Sequence, residues 1–217
     1  MTMLSVNFAD RTGGLRVLCL GAHCDDIEIG CGGTIIRMAS EYNIQQLKWL
    51  VFTSSEERSA EAKRSAACFV QGCKETEIII KKFKDGFLPY EAEQIKNSLE
   101  ELKPFNPDII FTHYRHDLHQ DHRTICELTW NTFRNNLILE YEIPKYDGDL
   151  GCPNWFVTLE EEVARKKVKI IMECFKSQAS KHWFDDDTFF SLMRLRGIES
   201  ASPTRYAEGF YVKKSVM

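Results

Sequence analysis

Two short segments of this chain carry histidine and aspartate residues at the spacing of metal ligands. In the first segment His23 stands beside Asp25 and Asp26, and in the second, four of the six histidines of the chain lie between His113 and His122. Imidazole and carboxylate groups are ordinary ligands of Zn²⁺, and a catalytic zinc site has three protein ligands and one open position. We therefore expect both segments to contribute to one metal site.

In the first segment, the two aspartates occupy different positions along the turn, which predicts a different role for each. His23 and Asp26 are three residues apart, so both side chains can converge on a single ion. Asp25 then points elsewhere, close to the ion, where a carboxylate is suited to act as a general base on water. A helix that begins here would also direct its positive N-terminus toward the acidic pair.

The second segment offers more histidines than one metal ion needs. His119 and His122 both have suitable spacing, His116 can replace either of them, and a remaining histidine would be free for acid catalysis. Taken singly, an Asp-Asp pair after a strand is more often a helix cap, and a histidine-rich stretch can be a solvated loop. Their joint occurrence favours the metal site, because the two segments together hold five of the six histidines.

The elements that must position these segments alternate between strand and helix patterns. The predicted strands are Arg16–Leu20, Leu47–Thr53, Thr76–Lys81, Pro107–Thr112, Leu137–Ile143 and Ala207–Lys213. The predicted helices are Glu28–Tyr42, Glu56–Gly72, Glu91–Leu102, Asp121–Arg134 and Glu160–Lys176. Such alternation predicts an α/β fold with three layers, Rossmann-like, around a mostly parallel sheet, in a single domain over residues 1–217.

Both histidine segments directly follow predicted strands. In an open parallel sheet the ligand site lies at the carboxyl ends of the strands, so the segments should meet at one edge although they are distant in the chain. The aromatic stretch Trp183–Arg194 is compatible with a helix or a lid, and we favour packing in the core. Asp185 begins a short acidic run in this stretch, which we expect to be solvated.

Composition narrows the class of protein. The net charge of -4 provides no basic footprint for nucleic acid, although a local basic pocket is compatible with it. No run of about 18 apolar residues is present, and Met1–Gly14 lacks the pattern of a signal peptide, so we expect no membrane anchor and a cytoplasmic protein. The eight cysteines form no compact framework and are expected to be reduced thiols, mostly buried. A homo-oligomer is compatible with this composition.

The motifs resemble those of the PIG-L/LmbE family of zinc-dependent N-acetylglucosaminyl deacetylases. That family has an Ala-His-Pro-Asp-Asp signature and an Asp-x-His-x-Asp-His-Arg motif, which are similar to Ala22–Asp26 and Asp117–Arg123 here. The family's Gly-Gly-Thr helix start is matched by Gly32–Thr34. Softer similarities are found in the segments Arg58–Glu61, Arg196–Glu199 and Tyr206–Phe210. Cys24 replaces the family's proline, which makes the turn less rigid and removes no ligand.

The resemblance implies a role for each site residue. The implied zinc ligands are His23, Asp26 and His122. Asp25 would be the general base, and His119 would stabilise the oxyanion and help the amine to leave. Asp121 would orient His119 or tune its charge, while Arg58 would bind substrate hydroxyls or a phosphate, unless it forms a surface ion pair.

The implied reaction is hydrolysis of the acetamide of an N-acetylated amino sugar, which releases acetate and a free amine. The substrate would be a small molecule of the N-acetylglucosamine type, free or linked to a nucleotide. One alternative is a metal-dependent phosphoesterase, which usually requires two metal ions and more carboxylates. The other alternative is a binding protein without catalytic activity on the same fold.

Overall fold

The computed structural model describes residues 7, 8 and 13–216, so most of Met1–Gly14 lies outside the described residues. The strands are β1 (Leu15–Gly21), β2 (Ile44–Thr53), β3 (Glu75–Phe83), β4 (Ile109–His113), β5 (Leu137–Tyr141), β6 (Trp155–Leu159) and β7 (Tyr206–Tyr211). The α-helices are α1 (Asp26–Glu41), α2 (Glu56–Phe69), α3 (Ala92–Glu100), α4 (Gln120–Thr132), α5 (Glu161–Cys174) and α6 (Asp186–Glu199). No helix in this described part combines the length and hydropathy needed to cross a bilayer.

The strands form one seven-stranded sheet in the order β3-β2-β1-β4-β5-β7-β6. The first five of these are mutually parallel, and β7 runs antiparallel to both β5 and β6. Helices connect the parallel strands, because a parallel pairing needs a crossover that returns the chain to the same end of the sheet. The predicted α/β fold with a mostly parallel sheet is confirmed.

Helices cover both faces of the sheet, and the buried residues of β1 show how the faces separate. Val17 and Cys19 belong to one hydrophobic cluster, which also includes side chains of α1, α2, α5 and α6. Leu18 and Leu20 point to the other face and pack in a second cluster with side chains of α3 and α4. This alternation has the period of two that is expected for a strand buried on both faces. The fold therefore has three layers, with the sheet between two layers of helices.

The order of the strands creates a crevice beside β1. From β1 the chain proceeds to β2 and β3, which lie to one side of β1 within the sheet. It then returns to β4, which lies on the other side of β1. The segments after β1 and β4 therefore leave neighbouring strands in different directions, which is the topological switch point where open α/β sheets bind ligands. Both histidine segments begin at this point.

Several boundaries differ from the sequence prediction. β6 was not predicted, because this short edge strand depends on its pairing with β7 rather than on a strong local pattern. The helix predicted to reach Gly72 ends at Phe69, and Gly72 has a φ of 98° in the turn that follows. The aromatic stretch begins just before α6 and continues in it, and burial of Phe184 and Phe189 confirms the predicted core packing. Asp185 is not simply solvated, since its carboxylate caps α6 by accepting from the backbone N–H of Thr188.

Candidate metal centre and catalytic groups

The turn after β1 places the first set of side chains. Asp26 is the first residue of α1, and its carboxylate accepts the backbone N–H of His23 at 2.5 Å. Burial of this carboxylate at a helix N-terminus is favourable because the partial positive charge of the helix offsets part of its desolvation. The thiol of Cys24 donates to the carbonyl of Thr53 at 3.4 Å, and Cys24 belongs to none of the potential ligand groups among the described residues.

The second set is built around the start of α4. His119 caps this helix, because its Nδ1 accepts the backbone N–H of Asp121 at 3.2 Å. His122 lies in the first turn and is buried. Its ring is stacked on that of His113, the last residue of β4, with centroids 3.9 Å apart. The end of β4 and the start of α4 thus bring several imidazoles together at the carboxyl edge of the sheet.

The donor atoms of the three implied ligands lie next to one another. His23 Nδ1 is 3.1 Å from His122 Nε2 and 3.2 Å from Asp26 Oδ2. Asp26 Oδ1 is 3.5 Å from His122 Nε2. Ligands about 2.0–2.1 Å from a tetrahedral zinc ion are about 3.3 Å from each other. The separations here are close to that value, with the two imidazoles nearest to different oxygens of Asp26. Two imidazoles and a carboxylate are also the donor chemistry of a catalytic zinc site.

The other three histidines of the two segments differ in their contacts with the metal centre. His119 groups with His23 and His122, with donor atoms within 4.8 Å of one another. His113 forms another potential ligand group with Asp26 and His122, but its Nε2 lone pair accepts the N–H of Ala22 at 2.9 Å, which leaves that atom unsuited to a metal. His116 is exposed, packs edge-on against Tyr114 and belongs to none of the potential ligand groups among the described residues.

The charges of the cluster are strongly coupled. Burial favours neutral Asp26, but His122, His23 and His113 outweigh burial and lower the pKa of Asp26 well below its usual value. Burial lowers the pKa of His23, but Asp26, Asp121 and Asp85 outweigh it and raise that pKa well above its usual value. The cluster therefore holds an ionised carboxylate against imidazoles that bind protons in the absence of a metal. Protons and a metal ion compete for the same imidazole nitrogens.

Asp117 contacts two of the histidines of the site without belonging to the implied ligands. Its Oδ2 is 2.8 Å from Nδ1 of His122, and its Oδ1 accepts the backbone N–H of His119 at 2.8 Å. The ammonium of Lys145 lies 3.1 Å from the same carboxylate. A carboxylate on the far nitrogen of a ligating histidine orients the ring and strengthens its bond to a metal. This role of Asp117 was not predicted from the sequence, although the residue opens the second motif.

We expect Asp117→Asn to weaken zinc affinity by roughly 10–100-fold, the range seen when the partner of a ligating histidine is changed. Asparagine has a single acceptor oxygen and no negative charge. The carboxylate of Asp117, by contrast, contacts the backbone N–H of His119, the ring of His122 and the ammonium of Lys145 at the same time. Competition against a chromophoric chelator measures this affinity. Asp187→Asn, an exposed change on α6, is the matched control, and equal affinity of both variants and the wild type would contradict the role.

Asp121 contacts a different histidine from the one expected. Its carboxylate accepts the backbone N–H groups of Gly86 and Leu88 at 2.7 and 3.1 Å, and its Oδ2 lies 3.4 Å from Nε2 of His23. The expected orienting role is therefore corrected, since the side chain of Asp121 is bonded elsewhere, whereas the expected effect on the charge of His119 holds. Burial lowers the pKa of His119, and the charge of Asp121 opposes that lowering. The hydrogen bond from Asp121 to His119 comes from its backbone N–H, while its side chain accepts from the segment after β3. Asp85 in that segment is also 3.2 Å from His23 Nε2.

Arg58 on α2 reaches the general-base candidate. Its guanidinium donates to Asp25 Oδ1 at 2.7 Å, and only 18% of the arginine side chain is exposed. Asp25 is buried, and its Oδ2 has no hydrogen-bond partner among the described residues. The ion pair fixes one carboxylate oxygen and leaves the other free to accept a proton. Arg58 is thus not in the surface ion pair that was one of its two expected roles.

The C-terminal motif supports the helix that begins at Asp26. Glu208 on β7 is buried and accepts the backbone N–H groups of Gly33 and Thr34 at 2.9 and 2.6 Å. Its charge is paired with Lys167, whose ammonium also donates to the carbonyl of Ile29. The pair joins α1 to β7 and α5, so Glu208 has a structural role.

Comparison with known proteins adds to this geometry. The family model described as PIG-L, GlcNAc-PI de-N-acetylase, matches residues 18–133, which include both histidine segments. Among solved structures, N,N'-diacetylchitobiose deacetylase from Pyrococcus horikoshii is 23% identical with a TM-score of 0.69, over 92% of this chain and 84% of that chain. A conserved protein from Thermus thermophilus is 19% identical with a TM-score of 0.74, over 94% and 96% of the two chains.

The same fold also occurs in an enzyme with another activity. GalB, the 4-carboxy-2-hydroxymuconate hydratase from Pseudomonas putida KT2440, has a TM-score of 0.75 and 15% identity over 94% of this chain and 98% of that chain. At these identities the structural similarity shows a shared fold. The reaction must therefore be argued from the site residues.

Proposed function

This chain belongs to the PIG-L family of GlcNAc-PI de-N-acetylases, and from this premise we propose that it is a zinc-dependent hydrolase that removes the acetyl group of an N-acetylated amino sugar. The observation that carries the proposal is the cluster of His23, Asp26 and His122, with donor atoms 3.1–3.5 Å apart. Beside it stands Asp25, whose buried Oδ2 has no partner among the described residues. A metal centre with an adjacent free carboxylate is the minimum that metal-assisted hydrolysis of an amide requires.

His23, Asp26 and His122 would hold the metal, since their donor spacing and chemistry fit a tetrahedral ion. A bound zinc ion supplies Lewis acidity, which polarises a carbonyl group and makes a water molecule more acidic. Asp117 and Asp121 keep the two imidazoles in place through their other nitrogens. The metal would thus be fixed by three ligands, of which two have carboxylate support.

Asp25 would transfer the protons. Its Oδ1 is held by Arg58, so its Oδ2 can take a proton from the attacking water while the C–O bond to the acetamide carbon forms. The same proton can then pass to the leaving nitrogen as the C–N bond breaks. Water and the acetamide are thereby converted into acetate and a free amine, with Asp25 returned to its ionised state.

His119 would stabilise the negative charge that develops on the acetamide oxygen. A backbone N–H can only donate, so Nδ1 of His119 carries a lone pair and the neutral ring has its proton on Nε2. Burial, with the charges of His122 and His23, lowers the pKa of His119 and favours this neutral ring. An N–H donor directed at an oxyanion is worth about 3–4 kcal/mol of transition-state stabilisation. This geometry favours Asp25 over His119 as the proton donor to the amine.

One observation favours the phosphoesterase alternative. His23, Asp85 and Asp121 form a further group of potential ligands beside the first, and a second metal ion there would resemble a two-metal site. However, the Asp121 carboxylate already accepts two backbone N–H groups, and the Asp85 side chain is 75% exposed. These features favour a single metal ion and the deacetylase.

A screen of N-acetylated sugars tests the proposal. Zinc-loaded protein is incubated with free and nucleotide-linked N-acetylglucosamine, and both acetate and primary amine are measured. We expect equal amounts of the two products from at least one sugar, and none with metal-free protein. Absence of amine from every sugar would contradict the proposal and favour a binding protein, whereas release of phosphate from phosphate esters would favour the phosphoesterase.

A further inference from the structure

A cleft of about 360 Å³ opens directly beside His23. One wall is the end of β2 and the start of α2, and the other wall is the end of β3 and the segment that follows it. We call it the cationic cleft, because its lining includes Arg58, Lys82 and Lys84, together with Asp85 and His23. The cleft and the proposed metal centre share His23, so the cleft adjoins the proposed metal centre.

The charge of the cleft is opposite to that of the whole chain. Arg58, Lys82 and Lys84 line it, although the chain has a net charge of -4. Its one lining carboxylate, that of Asp85, lies against His23 at 3.2 Å. Neither lysine is in an ion pair with a described residue, and Lys84 Nζ rests 3.7 Å from the centroid of the Phe87 ring. Both lysines are exposed, so the wall of the cleft carries two positive charges without an anionic partner among the described residues.

Arg58 lines the cleft and also contacts the proposed general base. One of its terminal nitrogens donates to Asp25, the proposed base, and its buried Nε has no hydrogen-bond partner among the described residues. A substrate group in contact with Arg58 would therefore lie within a few bonds of the acetamide that Asp25 serves. In a 2-acetamido sugar, C1 and C3 are both bonded to the carbon that bears the acetamide, so a substituent on either lies close to the cleft. Of the two, the anomeric C1 is the position through which such sugars are ordinarily linked to other groups.

We propose that the cationic cleft binds a phosphate group carried on the anomeric oxygen of the N-acetylated sugar. This inference rests on the proposed function and names its substrate class, a sugar 1-phosphate or its diester. The cleft supplies the guanidinium and two ammonium groups that such an anion needs. Its volume accommodates a phosphate with part of a further substituent.

The test compares three substrates, which are N-acetylglucosamine, its 1-phosphate and its 6-phosphate. We expect kcat/KM to be at least tenfold higher for the 1-phosphate than for the neutral sugar. In the double variant Lys82→Met and Lys84→Met this preference should fall roughly tenfold, the order expected when two partly exposed ion pairs are lost. Lys169→Met, a change on α5 with 73% of the side chain exposed, is the matched control and should keep the preference. High salt should reduce the preference of the wild type.

Direct titration of zinc-loaded protein with each sugar separates this inference from the proposed function. Tighter binding of the 1-phosphate that is lost in the double variant supports the cleft assignment, even if no sugar releases an amine. Equal binding and equal turnover of the neutral sugar and the 1-phosphate would overturn the assignment while the deacetylase stands. A preference for the 6-phosphate would also overturn it, because that phosphate is on the far side of the ring.

Discussion

Asp25→Asn should lower kcat for sugar deacetylation by about a thousandfold while zinc stays bound, since a positioned general base contributes about 10²–10⁴ to the rate. The asparagine oxygen can still accept the hydrogen bond from Arg58, so the local structure should persist. The amide has no basic site that could take the proton of the attacking water. The loss should therefore appear in kcat rather than in metal content.

Zinc content by mass spectrometry and kcat by amine release are measured on the same preparation. Asp187→Asn on α6 is the control, because it makes the same chemical change at an exposed site. If Asp25→Asn turned over the substrate within a few-fold of the wild-type rate at equal zinc content, Asp25 would not be the general base.

His122→Ala should abolish zinc binding at the zinc concentrations used in the assay, and deacetylase activity should be lost as a result. One of three ligands is lost, and the cost should exceed the roughly 100-fold loss caused by changing the partner of a ligand. A ligand that binds only the folded protein stabilises it, by about 2.7 kcal/mol at a concentration 100 times its Kd. Zinc should therefore raise the Tm of the wild type and leave that of His122→Ala unchanged.

His182→Ala is the matched control for this substitution. His182 is exposed and stacks on Tyr146, outside every potential ligand group among the described residues. It should keep the thermal shift with zinc and the zinc content of the wild type. Retention of one zinc ion and normal turnover in His122→Ala would rule out the ligand assignment.

Much of the fold followed from local sequence pattern. β1 and β4 read as apolar runs that end directly before the histidine segments, and their parallel pairing places those segments at one edge. β6 could not be predicted in the same way, because a five-residue edge strand is defined by the partner it pairs with. Residues 70–72 extended the helical pattern of α2, but the backbone turns there instead.

The site was predictable where neighbours in the chain or the pairing of the strands determine the contact. The short turn before α1 brings His23 and Asp26 together, and this follows from their spacing. The partner of Asp121 depends on the path of the segment after β3, which no motif describes, so its contact with His23 was missed. The Arg58–Asp25 pair likewise depends on how α2 packs beside β1.

A single metal ion held by His23, Asp26 and His122 is the central requirement of the proposed deacetylation. Titration of metal-free protein with zinc, followed by amine release from an N-acetylated sugar, tests this requirement most directly. We predict that activity is absent without metal, rises in proportion to added zinc and levels off at one equivalent per chain. Full activity in the metal-free protein, or a rise that continues to two equivalents, would contradict it.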